Sequence, residues 1–232
     1  MTVKHKRFIC MALFMVMAVT VTACSNKTDS EDTLENTGEE KQAGIELPYE
    51  LDDGRLVLNS IFQSSISNPD CNDENGENTA SVEVINQSDQ FLASADIEVM
   101  LEDETTLNFK IEDIPAGGTV WAFEIDNTGI DENYVCESVS CDAEYEDDMP
   151  MMAESLSFEA EGTTVTIQNL TDGQLSGLEA SFHCLFDEGV YYGGTTYTYP
   201  IDTIPAGGSI SLEVPECYLG TAEAVRVTQA GE

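Results

Sequence analysis

Histidine and positive charge are scarce in this 232-residue chain, and each shortage excludes a class of function. Only one of the two histidines, His183, lies beyond residue 23, so no pair of histidines is available for catalysis or for a zinc site. Eight Lys and Arg residues stand against 45 Asp and Glu residues, a formal net charge of −37. Because a surface this negative repels phosphates, nucleic acid is excluded as a partner.

Catalytic sequence motifs are missing as well. Beyond residue 23 the chain contains no G-x-S-x-G nucleophile motif, no G-K-[ST] phosphate loop and no S-x-x-K motif. Carboxylates are so numerous that no particular acid–base pair stands out. We therefore predict that the protein is not an enzyme, and we expect no cofactor apart from the calcium considered below.

Long apolar runs are also absent, with one exception near the N-terminus. A basic start (KHKR) precedes an apolar run from Phe8 to Ala23, the pattern of an export signal. The run is shorter than the ~20 residues that a membrane-spanning helix needs. It ends in V-T-A-C, which resembles the lipobox of bacterial lipoproteins. The resemblance implies a signal peptide at residues 1–23, cleavage before Cys24 and a diacylglyceryl group on its sulfur; an ordinary cleaved signal is the alternative.

Residues 24–44 are polar and acidic, with one Leu and no aromatic residue. Such a stretch cannot bury enough apolar surface to fold, so we predict a disordered linker after the lipidated cysteine. As a random coil it would hold the rest of the chain about 25 Å from the membrane. The expected location is the extracytoplasmic face of the cell membrane, with the lipid as anchor.

The negative charge is more extreme once the signal peptide is set aside. Five basic residues then stand against 45 acidic ones, a formal net charge of −40. Solubility and resistance to self-association would account for such a charge. A cationic partner or bound divalent cations are the alternatives to this preferred explanation.

A five-residue phrase, IPAGG, occurs twice, at residues 114–118 and 204–208. Each copy follows a β-branched run that ends in N-x-[ST]-D, beginning at Asn86 and Asn169. In the turn itself, Pro fixes φ and a following Gly supplies a positive φ. The offset between copies grows from 83 residues at the Asn to 90 at IPAGG, so the second copy has a longer middle hairpin. The chain therefore contains a duplicated unit.

Short β-branched and alternating runs separated by turn residues predict strands in both copies. We predict an all-β protein with two tandem immunoglobulin-like β-sandwich modules, at residues 45–148 and 149–232. The strand that follows IPAGG carries its apolar residues one position apart in the two copies: Trp121, Phe123 and Ile125 against Ile210, Leu212 and Val214. Because a slip of one residue reverses the faces of a strand, we expect a β-bulge near Val120.

The motif LFD at residues 185–187 resembles the strand end of bacterial immunoglobulin-like envelope modules of the FxLYD type. The corresponding LED at residues 101–103 lacks the aromatic residue. A Pro-Gly turn precedes the next strand in that family, as it does here. The resemblance implies extracytoplasmic binding or accessory roles, and it brings no catalytic residues.

An acidic insertion in the first module, DCNDENGEN, contains the candidate calcium ligands Asp70, Asp73, Glu74 and Glu77. The stretch does not fit an EF-hand loop, because its register places Cys71 and Val82 at ligand positions. A looser calcium site built from the four carboxylates and a solvated loop are the two interpretations.

Five cysteines follow Cys24, and an exported protein resides where disulfides persist. Cys184 and Cys217 lie in the second module and are the candidate pair there, and the first module holds Cys71, Cys136 and Cys141. The alternative is that all five are small buried thiols.

The inserted hairpin of the second copy holds half of the eight tyrosines, Tyr191, Tyr192, Tyr197 and Tyr199. An exposed aromatic strip there would suit a sugar or peptide ligand, whereas cross-strand packing would steady a long hairpin. His183 alternates with the apolar face of the preceding strand, so we expect it to be partly exposed.

The sequence thus predicts a lipid-anchored protein of the cell envelope with non-enzymatic binding or scaffolding modules. Its partner would be an envelope protein or a glycan, besides the membrane that holds the anchor. An accessory subunit of an envelope transporter or of a wall-processing enzyme is the alternative function.

Overall fold

The structure, a computed structural model, describes residues 44–70, 78–186 and 189–230, and these ranges are almost entirely β-structure. The predicted all-β class and sandwich layout are confirmed. Among the described residues no helix is long and apolar enough to cross a membrane. Short 3-10 turns occur at Asp52–Gly54 and Pro215–Cys217. The strands are β1 Tyr49–Leu51, β2 Leu56–Gln63, β3 Ala80–Asn86, β4 Phe91–Leu101, β5 Thr106–Ile114, β6 Thr119–Phe123, β7 Cys136–Glu146, β8 Leu156–Glu161, β9 Thr164–Asn169, β10 Leu178–Leu185, β11 Val190–Ile201, β12 Ser209–Glu213 and β13 Thr221–Gln229.

The strands form three sheets with a central sheet of seven. Its order is β1-β2-β3-β6-β11-β10-β13, and the two smaller sheets are β5-β4-β7 and β12-β9-β8. One hydrophobic core lies between the β5-β4-β7 sheet and the β1-β2-β3-β6 part of the central sheet. A second core lies between the β12-β9-β8 sheet and the β11-β10-β13 part. Each copy of the repeat therefore builds one sandwich of two sheets.

The two sandwiches are joined by a parallel strand pair within the central sheet. β6 of the first copy pairs with β11 of the second, in the register Val190↔Thr119, Tyr191↔Val120 and Tyr192↔Trp121. β11 belongs to the hairpin that is longer in the second copy. The inserted residues thus supply the edge at which one sheet passes from the first copy to the second.

The repeated phrase is explained by a buried asparagine that fastens the IPAGG turn. The side-chain amides of Asn86 and Asn169 are 1% and 0% exposed. The two hydrogens of each Nδ2 are shared among three acceptors within hydrogen-bond distance, which are the carbonyl four residues ahead and the Ile and Pro carbonyls of the turn. For Asn86 the acceptors are Gln90, Ile114 and Pro115 at 3.0, 3.2 and 3.1 Å; for Asn169 they are Gly173, Ile204 and Pro205 at 2.7, 3.2 and 3.1 Å.

The same corner also uses the rest of the motif. The Oδ1 atom of each Asn accepts hydrogen bonds from the backbone N–H and the hydroxyl of Ser88 or Thr171, two residues ahead. The glycines at the turn, Gly117 and Gly207, adopt φ of 74° and 62°, a region that residues with a β-carbon disfavour. N-x-[ST]-D and IPAGG are therefore two halves of one structural unit.

The predicted bulge near Val120 is wrong. β3 and β6 pair without a register shift from Ser81↔Phe123 to Ile85↔Thr119. Val120 and Ala122 face the first core, as their register with the second copy requires. Trp121 and Phe123 lie on the opposite face and contact the second core. The apolar residues Trp121 and Phe123 thus occur because the second face of β6 is also partly buried, and the register of the strand is not shifted.

Candidate functional site

Comparison of the two copies identifies one sheet surface on which the first copy has apolar and aromatic residues that the second copy lacks. Strand registers align the outward positions of β2, β3 and β6 with those of β8, β9 and β12. At five of these positions the second copy has a polar residue where the first copy has an apolar or aromatic one. The aligned pairs are Val57 with Ser157, Phe62 with Glu161, Ile85 with Gln168, Trp121 with Ser211 and Phe123 with Glu213.

Three partly exposed aromatic rings meet on this face. The ring centroid of Trp121 lies 5.8 Å from that of Phe62 and 5.7 Å from that of Phe186, with interplanar angles of 74° and 68°. Such edge-to-face pairs each contribute about 0.5–1.5 kcal/mol beyond the area they bury. Trp121 is the only tryptophan of the chain. We call Asn59, Phe62, Glu83, Trp121 and Phe186 the aromatic face.

A carboxylate lies beside the tryptophan. Glu83 is the direct cross-strand neighbour of Trp121 on the same side of the sheet, a relationship that places Cβ atoms about 4.5–5.5 Å apart. Its Oε2 accepts hydrogen bonds from Asn59 Nδ2 at 2.5 Å and Ser60 Oγ at 3.5 Å. A bulge in β2 at Asn59 turns that amide toward Glu83. Within the described ranges Glu83 has only these neutral partners, and both bonds use one oxygen.

The seam between the two copies is polar and tightly paired. Arg226 of β13 donates from Nε to Asp113 Oδ1 at 2.8 Å and from Nη1 to Glu146 Oε1 at 3.0 Å. Thr196 of β11 donates its backbone N–H to Glu112 Oε2 at 3.2 Å. Burial raises the pKa of the Asp113 carboxyl, and the Arg226 guanidinium opposes that rise. β5 and β7 of the first copy thus both contribute carboxylates to the seam.

His183 is fully buried at this seam, so the expectation of partial exposure is wrong. Its Nε2 lies 2.7 Å from the carbonyl oxygen of Glu112, to which it donates. Nδ1 has no hydrogen-bond partner within the described residues. Burial lowers the pKa of the imidazole to about 4, so it is neutral at physiological pH. The sequence could not show this, because the covering strand β5 comes from the other copy.

The four candidate tyrosines do not form an exposed strip. Tyr191 and Tyr192 are buried, and Tyr197 and Tyr199 are half-buried. Every hydroxyl has an internal acceptor, and burial raises the pKa of all four, that of Tyr199 to about 12. The acceptors are Glu223 for Tyr191, the Ser67 carbonyl for Tyr192, Asp70 for Tyr197 and Glu216 for Tyr199. The geometry favours the packing interpretation of this hairpin.

Asp70 anchors one copy to the other and does not face an open cation site. Its Oδ2 accepts the backbone N–H of Gly194 at 2.7 Å, and its Oδ1 accepts the Thr195 hydroxyl at 3.0 Å and that of Tyr197 at 3.3 Å. Burial raises the pKa of this carboxyl.

The rest of the candidate calcium site cannot be placed. Asp73, Glu74 and Glu77 lie outside the described residues. Among the described residues no group of three or more His, Cys, Asp and Glu side chains could hold a metal ion.

A disulfide joins Cys184 and Cys217 across 33 residues of the second copy. Cys136 and Cys141 are free thiols on β7. Burial raises the pKa of both, that of Cys141 to about 11, so both are protonated at neutral pH. Cys24 and Cys71 lie outside the described residues.

A cleft of about 750 Å³ lies at one end of the first sandwich. Its lining combines apolar residues with the acidic side chains of Glu102, Asp103 and Asp131. The hydroxyl of Tyr134 in this lining donates to the Ile61 carbonyl at 2.9 Å and so holds the wall in place. The described residues that line the cleft include no histidine or cysteine, and the acidic side chains make it a poor site for anions.

Comparison with protein-family models, with curated proteins and with solved structures finds no significant match for this chain. The aromatic face is not evident from the sequence alone. The sequence feature that marks it is the presence of Trp121 and Phe123 where the second copy has Ser211 and Glu213. In the sequence this difference resembles the effect of a β-bulge. Strand register is needed to assign those residues to a different face.

Proposed function

We propose that this protein is a non-enzymatic binding or scaffolding protein of the cell envelope, anchored through Cys24. Its two sandwiches act as one rigid body that is presented to a partner. The pairing of β6 with β11 carries this proposal, because it makes one sheet of both copies. A continuous sheet resists the hinge motion that a flexible linker between modules would allow.

The use of the polar residues supports a binding role over catalysis. His183 is enclosed at the seam, Asp70 fastens a loop to β11, and Arg226 bridges β5 and β7 to β13. Groups that would serve as base, acid or anion holder in an active site are thus engaged in holding the copies together. A rigid body suits a binding module, because its surface is already ordered and less conformational entropy is lost on binding.

The anchor rests on the N-terminal sequence. A basic and apolar export signal, the V-T-A-C ending and the acidic linker together fit a lipoprotein tethered outside the membrane. The linker then keeps the folded body clear of the anionic lipid headgroups, which repel a mature chain whose net charge is −40.

Membrane fractionation with lipid labelling tests the proposal. We expect the wild-type chain to be recovered in the membrane fraction and to incorporate labelled fatty acid, and Cys24→Ala to be released and unlabelled. Cys141→Ser is the matched control, because it removes a thiol elsewhere and should leave anchoring unchanged. Equal membrane retention of Cys24→Ala and wild type would contradict the anchored role.

A further inference from the structure

We infer that the aromatic face binds a basic segment of a partner protein, with a lysine or arginine side chain lying against Trp121 and pairing with Glu83. This inference rests on the proposed binding function, and it names the surface and the chemistry of the partner. Three independent features of the described residues support it: divergence between the copies, unmatched negative charge, and the geometry of the rings.

Divergence between the copies singles out this face. The second copy has the same strands and register but carries Thr166 and Ser211 where the first has Glu83 and Trp121. Contact with the second copy accounts for Phe123, which lies 5.2 Å from Tyr192, and for part of Trp121. It does not account for Phe62, which packs on the far side of Trp121, or for the amide that the β2 bulge directs at Glu83.

Charge determines the chemistry of the occupant. The structure describes three basic residues, and each already contacts an acidic residue of its own chain: Arg55 with Asp52 at 2.7 Å, Lys110 with Glu112 at 2.6 Å, and Arg226 with Asp113 at 2.8 Å. Glu83 has neutral partners and one oxygen that accepts no hydrogen bond within the described ranges. None of the basic residues that the structure describes is therefore available to Glu83, and we assign its cation to the partner.

Geometry favours a cationic side chain over a neutral ligand. A cation against an indole is stabilised by the negative potential of the ring, and tryptophan is the strongest of the aromatic residues in this respect. Glu83 lies beside Trp121 on the neighbouring strand, so one ammonium or guanidinium group can contact both at once. The face is built on neighbouring strands of one sheet and its aromatic rings are partly exposed, which suits an extended peptide segment.

The sole tryptophan provides the readout. The full mature chain, in detergent, is titrated with a short peptide of alternating lysine and serine at an ionic strength of about 0.15 M, where long-range attraction is largely screened. We expect a saturable change in tryptophan fluorescence. The same peptide with every lysine acetylated should produce no change, because acetylation removes the charge.

Matched variants separate local recognition from the attraction of an acidic protein for any polycation. Glu83→Gln keeps the tryptophan and should weaken binding by about three- to tenfold, as expected for the loss of one ion pair while the cation–π contact remains. Glu159→Gln removes one equal charge from an exposed position on β8 of the second copy and should leave binding within about twofold of wild type. Trp121→Phe, followed by calorimetry, should also weaken binding.

Equal weakening by Glu83→Gln and Glu159→Gln would overturn the inference, because it would indicate a nonspecific charge effect. Tight binding of the acetylated peptide, or of a neutral glycan with no response to the lysine peptide, would overturn it as well. Such results leave the proposed envelope function standing, since anchoring is tested separately by Cys24→Ala. Conversely, if the anchoring prediction failed while peptide binding behaved as expected, the proposed anchored function would be contradicted and the inference about the aromatic face would stand.

Discussion

Gly194 and Lys110 are in backbone contact across the seam between the two copies. A β-carbon on Gly194 would lie 2.0 Å from the carbonyl oxygen of Lys110, a distance that no side chain can occupy. The absence of a side chain at Gly194 therefore lets β11 approach β5. The same residue donates its backbone N–H to Asp70. The contact fixes how closely the inserted hairpin can dock on the first sandwich.

Gly194→Ala should weaken this docking. Because the obstructing atom belongs to the backbone of β5, the strands must separate, and we expect a loss of at least about 2–3 kcal/mol in the free energy of unfolding. Chemical denaturation followed by circular dichroism measures the loss. Gly173→Ala is the control, because no atom lies within 4 Å of its β-carbon position; an equal effect of both substitutions would contradict the role assigned to Gly194.

Asn86→Ala and Asn169→Ala should destabilise the chain by similar amounts. Each removes an amide whose two hydrogens serve three carbonyl oxygens and leaves buried carbonyls without donors, so we expect about 2–4 kcal/mol for either substitution. Urea unfolding provides the values. Asn133→Ala, at an exposed position, should change stability by less than about 0.5 kcal/mol. A small effect of either Asn86→Ala or Asn169→Ala would contradict the claim that this side chain stabilises the IPAGG turn in both copies.

Stability should fall as the pH falls from about 6.5 to 4, and His183 is the reason. The pKa of the buried imidazole is lowered to about 4, whereas the unfolded chain takes up a proton near 6.5. The contribution is therefore complete above pH 6.5 and is lost toward pH 4, by up to about 3 kcal/mol. Asp70 and Asp113 act in the opposite sense at the acidic end, since their pKa values are raised.

His183→Gln keeps a donor for the Glu112 carbonyl and removes the titrating group, so its melting temperature should vary less over this pH range. No other histidine follows residue 23, which makes the assignment direct. An unchanged pH dependence in His183→Gln would mean that the imidazole is not enclosed as described.

Reduction of the Cys184–Cys217 disulfide should lower stability by about 3–4 kcal/mol, the loop-closure value for a separation of 33 residues. Melting with and without a reductant measures this. The double variant Cys184→Ser, Cys217→Ser should melt at one temperature in both conditions. A reductant-induced shift that persists in the double variant would point to a different disulfide.

The strands and the duplication could be predicted from the sequence, because they depend on local signals. β-Branched alternation marks β3 and β9, and IPAGG with its upstream Asn marks the same corner twice. The sequence could not predict which side chains of a strand contact the other copy. Trp121 and His183 each lie on a strand of one copy but contact the other copy, and no local period encodes a neighbour about 60–70 residues away.

The hairpin tyrosines illustrate the same limit. An insertion in a repeat is typical of a surface loop that meets a ligand, and Tyr197 and Tyr199, two residues apart on one strand, share a face. The structure places that face against the second core. The insertion serves to join the copies, and the surface that differs most from its counterpart lies on β6, outside the insertion.

Differential scanning calorimetry of the full mature chain tests the central claim most directly, since that claim is that two sandwiches form one body through a shared sheet. We predict a single transition whose calorimetric and van't Hoff enthalpies agree, because the seam couples the unfolding of both cores. Two resolved transitions, each with the enthalpy of one sandwich, would contradict the account.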